Sequence, residues 1–391
     1  MTDEKHICLE CIKDDPLRDI VAVGATEIQC HYCKHQVLGI SISALAEIVD
    51  KYLRDYLRIG EYLYPETQEG DSLEWILQEE LGIDYDPVVD IIEILKENDP
   101  AYPPDGEEPF YRSDENYLRR GESSGQYHQT WKDFTNRIKY QARFFDEIAR
   151  TQLAAILGDP GSPKAEELPW IEVGPGTKVE SFFRVRLADS EEQARKILKD
   201  PATELGPPPA VSATAGRMNP AGVSVFYGAL SEDTAIAEVR PSVGNLVVVG
   251  CFMPSRKLRL FNLPRINIGF TGSIFHPDYE DRLARFNFFE IFHALIAKPI
   301  QPREEVLEYI PTQAVAEYVA NVLSFDGILY ASAQVGAVPD DSESVFDDLK
   351  ESELRQHNVV LFGEAKLSFQ AGSAHLVKLK GVIYSYGSTF I

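Results

Sequence analysis

The run Gly216-Arg217-Met218-Asn219-Pro220-Ala221-Gly222 leads through Phe226-Tyr227-Gly228 into Ser231-Glu232-Asp233-Thr234-Ala235-Ile236-Ala237-Glu238-Val239-Arg240, and its reading decides the fold class. A glycine-bounded turn feeds a short strand, and the strand feeds a short helix. Glycines let backbone approach a ligand closely, and Arg217 offers a planar fork to a phosphate or carboxylate. Ser231 suits a helix N-cap, and the acids after it suit a first turn. Glu238 then stands as a charge inside an apolar stretch. A salt bridge to Arg240 or Arg184 competes with chemistry as its explanation.

Outward from this run, short strands and helices alternate without a regular βαβ rhythm, which makes the region after residue 181 α+β rather than doubly wound. Strands are expected over 181–186, 224–228, 246–252, 256–261, 328–331 and 359–362, with a final pair inside 375–385. Helices are expected over 286–297 and 313–323. One strand, Ile328-Leu329-Tyr330-Ala331, runs directly into the hydroxyl of Ser332. Arg184 sits among apolar residues in Phe182-Phe183-Arg184-Val185-Arg186, where a plain edge strand more often carries Thr or Lys. His276 and His293 stand alone and read as structural or surface residues.

Toward the N-terminus, 159–180 is rich in Gly and Pro and reads as a linker. Residues 41–158 show helical spacing, with Leu45, Ile48, Val49, Tyr52, Leu53 and Tyr56 on one stripe. Asp71 and Glu74 resemble a capping box, and Gly82 reads as a helix stop. One long helix is expected from Trp131 through Phe134, Ile138, Phe145 and Ile148 to about Leu157. The first forty residues hold Cys8-Leu9-Glu10-Cys11 and Cys30-His31-Tyr32-Cys33, eighteen residues apart. Two such knuckles can complete a tetrahedron of thiolates around Zn²⁺, and a segment this short needs the metal to fold. Two disulfides or a redox pair are the competing readings. His6, His31 and His35 read as surface residues, and Cys251 as a buried free thiol.

Composition bounds the rest. The 391 residues suggest two or three domains, and 44% hydrophobic with 26% charged residues excludes a disordered or fibrous chain. A net charge of −24 argues against nucleic acid and anionic membranes as partners. The longest apolar run, Leu246 to Met253, is too short to span a bilayer, and the start Met1-Thr2-Asp3-Glu4-Lys5 lacks a signal-peptide layout. A cytoplasmic location is expected. No Walker loop, dinucleotide fingerprint, nucleophile elbow or HExxH helix is present.

Several stretches together resemble the RES domain family. They are Phe183-Arg184, the Gly216–Gly222 loop, Phe226-Tyr227, Thr234-Ala235-Ile236-Ala237-Glu238-Val239, Thr312-Gln313, Phe325-Asp326-Gly327-Ile328, Ser332 and Asn358-Val359-Val360-Leu361-Phe362. Met218 departs from the aromatic residue usual after the arginine, and a long insertion-like stretch separates Phe252 from Thr312. The resemblance covers about residues 181–365. It implies a fold similar to ADP-ribosyltransferase toxins and an enzyme that splits NAD at the nicotinamide–ribose bond. Water, phosphate or a protein side chain would take the ADP-ribose.

On that resemblance Glu238, Arg184 and Ser332 are the expected catalytic residues, and Arg217, Tyr227 and Asn219 the expected NAD contacts. Glu238 would stabilise positive charge on the ribose, the arginines would hold the diphosphate, and Tyr227 would face the nicotinamide. Zinc is expected as a structural metal and NAD as substrate. The partner is expected to be an antitoxin protein, or the N-terminal half acting as its own restraint. The division expected is 1–40 zinc ribbon, 41–158 helical domain, 159–180 linker and 181–391 RES domain, so that a fragment from Lys178 folds alone. A non-catalytic nucleotide-binding module is the competing reading.

Overall fold

A computed structural model describes residues 4–63, 67–99, 108–119, 124–267, 272–297, 305–332, 355–363 and 366–381. The end of the final strand pair expected up to residue 385 lies outside these. The architecture is α+β, and the chain divides into two compact units. The first is Met1–Gly125 with Phe270–Arg285, and the second is Gln126–Gly269 with Phe286–Ile391. Among the described residues no helix is long and apolar enough to cross a membrane.

The first unit begins with a three-stranded antiparallel sheet in which Gln36–Ser41 lies between His6–Cys8 and Thr26–Gln29. Helices follow where caps and apolar stripes coincide. Asp14 accepts from the Leu17 amide to open Asp15–Ala22, and Ser41 accepts from the Ala44 amide to open Ile42–Tyr56. Ser72, one residue after Asp71, caps Leu73–Leu81, which ends on Gly82 at φ 55°, a left-handed geometry glycine adopts without strain. Leu45, Val49 and Leu53 are buried on one stripe as the spacing requires.

These helices share a single core with Ile7, Ile12, Leu17 and Val21 from the cysteine-bearing segment. The ribbon and the first helices therefore fold as one body. Ile274, Phe275 and Tyr279, far along the chain, are buried in the same core. Each such side chain gains roughly 1.5–3 kcal/mol from burial. A fragment cut at Lys178 would lack the N-terminal side chains that cover these three.

The long helix expected from Trp131 to Leu157 is two helices, Ser124–Tyr140 and Glu147–Leu157. Arg137 pairs with Asp146 at 2.6 Å, and Asp146 caps the second helix through the Ile148 and Ala149 amides. The break at Phe145, φ 55°, resets the helical phase. Trp131, Phe134 and Ile138 are buried as expected, but Phe145 is 102% exposed and Ile148 54% exposed.

The second unit is organised by a nine-stranded sheet. In chain order its strands are β1 Trp170–Val173, β2 Phe182–Ala188, β3 Phe226–Ala229, β4 Leu246–Pro254, β5 Leu258–Asn262, β6 Gly327–Ala331, β7 His357–Leu361, β8 Leu367–Phe369 and β9 His375–Lys378. The spatial order is β8-β4-β2-β3-β7-β6-β5-β1, with β9 also on β4, and only β5 and β6 run parallel. The stretch expected to be a linker thus supplies β1, an antiparallel partner of β5.

Strand alternation sorts side chains onto two faces. Phe182, Phe226, Phe252, Leu329, Val359 and Leu361 pack with Ala194, Ile197 and Leu205 on one face. The register pairs Tyr227 with Val360, Ala229 with Asn358, and Asn358 with Tyr330, which puts these residues on the other.

Candidate functional site

Glu238 closes the helix Glu232–Glu238, opened by Ser231, whose hydroxyl accepts from the Thr234 amide. Ser231 and Thr234 also donate to the Arg355 carbonyl, which ties the helix to the residues entering β7. At the helix end Glu238 Oε1 accepts two hydrogen bonds, one from Ser332 Oγ at 2.5 Å and one from Asn358 Nδ2 at 2.7 Å. No described residue donates to Oε2, and no described cation pairs with the carboxylate. The competing salt bridges to Arg240 and Arg184 are not formed. One carboxylate oxygen is held rigidly and the other is left to accept.

Asn358 is only 2% exposed, and its Oδ1 is buried with no partner among the described residues. Sequence reading gave it no role, although a polar residue opening the apolar run Val359-Val360-Leu361 was a usable signal. Tyr330, across from it in register, is half-buried, and loss of hydration first, then the neighbouring Tyr227 and Glu238, pushes its phenol well above the ordinary value.

The glycine loop lies near these residues. Asn219 is 3% exposed, and its amide donates to the Thr214, Pro220 and Val223 carbonyls. Its Oδ1 accepts from the Tyr227 hydroxyl at 2.9 Å, and that hydroxyl accepts from the Met218 amide at 3.0 Å. A Cβ at Gly216 would sit 2.7 Å from Asn219 Oδ1 and 2.8 Å from the Tyr227 oxygen, so the clasp requires glycine there. Thr312 donates to the Arg217 carbonyl, and Gln313 donates to the Gly216 and Asn219 carbonyls.

The Asn219 side-chain amide, expected to contact NAD, is engaged within the loop: its Nδ2 donates to carbonyls and its Oδ1 accepts from Tyr227. Tyr227 likewise spends its hydroxyl on that clasp, and burial pushes its phenol up to about 12. Arg217 projects from the loop with its guanidinium over the Tyr309 ring, 5.6 Å from the centroid, and its charge is felt at Tyr227 and Tyr330.

Arg184 is placed elsewhere. Two residues after Phe182 on β2, it shares the face of Phe226, over whose ring its guanidinium lies at 5.2 Å. There it lines a cavity of about 360 Å³ with Arg186, Glu204, Leu205, Pro208 and Ser212. Its Nη1 is buried without a partner, and burial, with Arg186 nearby, lowers its pKa to about 10. The structure brings Glu238 and Ser332 together, adds Asn358, and leaves Arg184 on the opposite face of the sheet.

In the first unit the four cysteines Cys8, Cys11, Cys30 and Cys33 bring their sulfurs within 4.8 Å of one another, and none is in a disulfide. The distances are 3.5 Å for Cys8–Cys11, 3.5 Å for Cys8–Cys33 and 3.9 Å for Cys11–Cys30. A tetrahedral ion with metal–sulfur bonds of about 2.3 Å spaces its sulfurs about 3.8 Å apart, and a disulfide about 2 Å. The cluster fits a metal ion and does not fit two disulfides. The second knuckle is shaped by Lys34 at φ 65°, its amide donating to the Cys30 carbonyl.

Residues 183–373 match the RES domain family. This chain carries a RES domain. The match spans Arg184, the glycine loop, Glu238, Ser332 and Asn358, and it includes the segment 270–285 that belongs to the first unit. Comparisons with curated proteins and with solved structures returned no match.

Proposed function

We propose that the RES domain cleaves the nicotinamide–ribose bond of NAD at Glu238. The observation that carries this reading is the asymmetry of the carboxylate: Oε1 is fixed by Ser332 and Asn358, and Oε2 has no partner among the described residues. Breaking the bond from ribose C1′ to the ring nitrogen sends the electron pair to the nicotinamide, which leaves neutral. Positive charge then develops on the ribose. A preorganised carboxylate is placed to stabilise that charge and to accept from a ribose hydroxyl. Water attacking C1′ and losing a proton completes hydrolysis. Phosphate or a protein side chain in its place would make the enzyme a phosphorylase or an ADP-ribosyltransferase.

Arg217 is the arginine we assign to the diphosphate, because its charge is felt at Tyr330, which also feels the Glu238 charge. Ser332 serves by orienting Glu238. Arg184, on the other face, is given no contact with the reacting ribose. The domain association suggests a toxin that depletes NAD in the cytoplasm. An antitoxin, or the N-terminal half itself, would restrain it. Zinc is the metal we assign to the cysteine cluster, as a structural ion that supplies folding energy to the first unit.

Incubating the purified full chain with NAD tests the reading. Free nicotinamide is expected at a rate proportional to protein, and mass analysis of the other product names the acceptor. Tight NAD binding without nicotinamide release would favour the non-catalytic module instead.

A further inference from the structure

We infer that Asn358 is a positioning and recognition residue of the Glu238 site, its Nδ2 fixing the carboxylate and its buried Oδ1 accepting an N–H from the carboxamide of the nicotinamide group. The inference rests on the NAD reading above and adds a contact to it.

The orientation of the Asn358 amide follows from its neighbour. Nδ2 lies 2.7 Å from Glu238 Oε1, and a flipped amide would press Oδ1 against that oxygen, acceptor against acceptor. Oδ1 therefore faces away from Oε1. A residue 98% buried ordinarily satisfies every polar atom, and an acceptor left bare this close to a functional carboxylate marks a place kept for a donor.

The chemistry of the two unpartnered acceptors divides the substrate's donors between them. Oε2 of Glu238 carries charge and is the stronger acceptor, so it suits a ribose hydroxyl. The neutral amide oxygen of Asn358 is left for an amide N–H. Tyr330 stands directly across from Asn358 in the β6–β7 register and supplies an aromatic neighbour for a flat ring. Nicotinamide presents both features, a ring and a primary carboxamide. A site that reads the carboxamide would distinguish NAD from relatives lacking its N–H donors.

The test compares NAD with its 3-acetylpyridine analogue, in which a methyl group replaces the carboxamide nitrogen, in the full chain. Wild-type kcat/KM is expected to fall at least about tenfold with the analogue. In Asn358→Leu that penalty should shrink to about twofold or less. Asn358→Asp keeps an acceptor at this position, so the penalty should persist. Its new carboxylate beside Glu238 should also add a limb to the pH–rate profile, because two adjacent carboxylates share a proton.

A Leu variant that turns over with the full wild-type penalty overturns the inference, as does an Asp variant with a wild-type pH profile. Should the Leu variant fail to fold, the Asp profile decides. Wild-type turnover of both dinucleotides at equal rates removes this contact and leaves the NAD reading standing. A wild-type protein that neither binds NAD nor releases nicotinamide removes both.

Discussion

The cysteine cluster and the Glu238 cluster are built on opposite plans. The four cysteines fall within residues 8–33, come from two local turns, and point every donor at one place. Glu238 instead gathers Ser332 from 94 positions away and Asn358 from 120. The first site leaves nothing over once an ion is bound. At the second, Oε2 and the Asn358 oxygen stay unsatisfied among the described residues. A site that satisfies itself belongs to the fold, and one that keeps open valences belongs to a ligand. That contrast can be tested by asking which changes unfold the protein and which only silence it.

The largest effect is expected at the cysteines. Structural zinc contributes on the order of 10–16 kcal/mol in small zinc-dependent folds, more than the total stability of many domains. Cys30→Ser, or exhaustive chelation, should therefore abolish cooperative melting of the first unit, and metal analysis of untreated protein should find one zinc per chain. An unchanged melt after the metal is removed would erase the contrast.

Glu238→Gln should show the reverse pattern. The amide keeps an oxygen for Ser332 and Asn358, so melting should shift little. The negative charge is lost where positive charge develops, and single-turnover nicotinamide release should slow by about 10²–10³ with NAD binding much less affected. A variant that melts early but turns over normally per folded molecule would make Glu238 structural.

Between these extremes lies the clasp under the glycine loop. Asn219→Ala strands the part-buried Tyr227 hydroxyl and three carbonyls, costing about 1–3 kcal/mol in chemical denaturation. NAD affinity should weaken through the displaced Arg217, and a variant with normal stability and lost binding would return Asn219 to direct substrate contact.

The smallest effect is a pH dependence. His375 on β9 bonds to the Ser373 carbonyl and to Glu232 at 2.9 Å, which together raise its pKa above the ordinary value. Its stabilisation is therefore fully present below the unfolded value near ~6.5 and is lost as pH rises through the raised folded value. The pair is half exposed, which limits it to a few tenths of a kcal/mol, roughly. Wild type should lose slightly more stability than His375→Gln between pH 5.5 and 8.5, and equal slopes would detach the imidazole from the helix bearing Glu238.

How far the sequence could be read follows the same division. Spacing alone located the cysteine cluster, the capped start of the Glu238 helix, the strand ending at Ser332 and the α+β mixture, because each depends on neighbours within a few turns. Element types were legible wherever apolar period and cap agreed, as at Ser231 or Gly82. They were misread where a local bond interrupts the period. The Arg137–Asp146 pair splits one expected helix and turns Phe145 outward. The Gly- and Pro-rich segment before residue 180 hides β1, whose pairing partner lies beyond residue 257.

What the sequence by itself determined is therefore local: two cysteine knuckles, a glycine loop with an arginine, a carboxylate at the end of a short helix, and a hydroxyl at the end of a strand. Only the tertiary structure decided which of these meet. It joined Ser332 to Glu238, brought in Asn358, withdrew Asn219 and the Tyr227 hydroxyl to shape a loop, and set Arg184 on the other face of the sheet. It also buried Ile274, Phe275 and Tyr279 in the core of the N-terminal unit. The physical reason is that strand register and face are settled by long-range pairing, and a one-residue change of phase carries a side chain through the sheet.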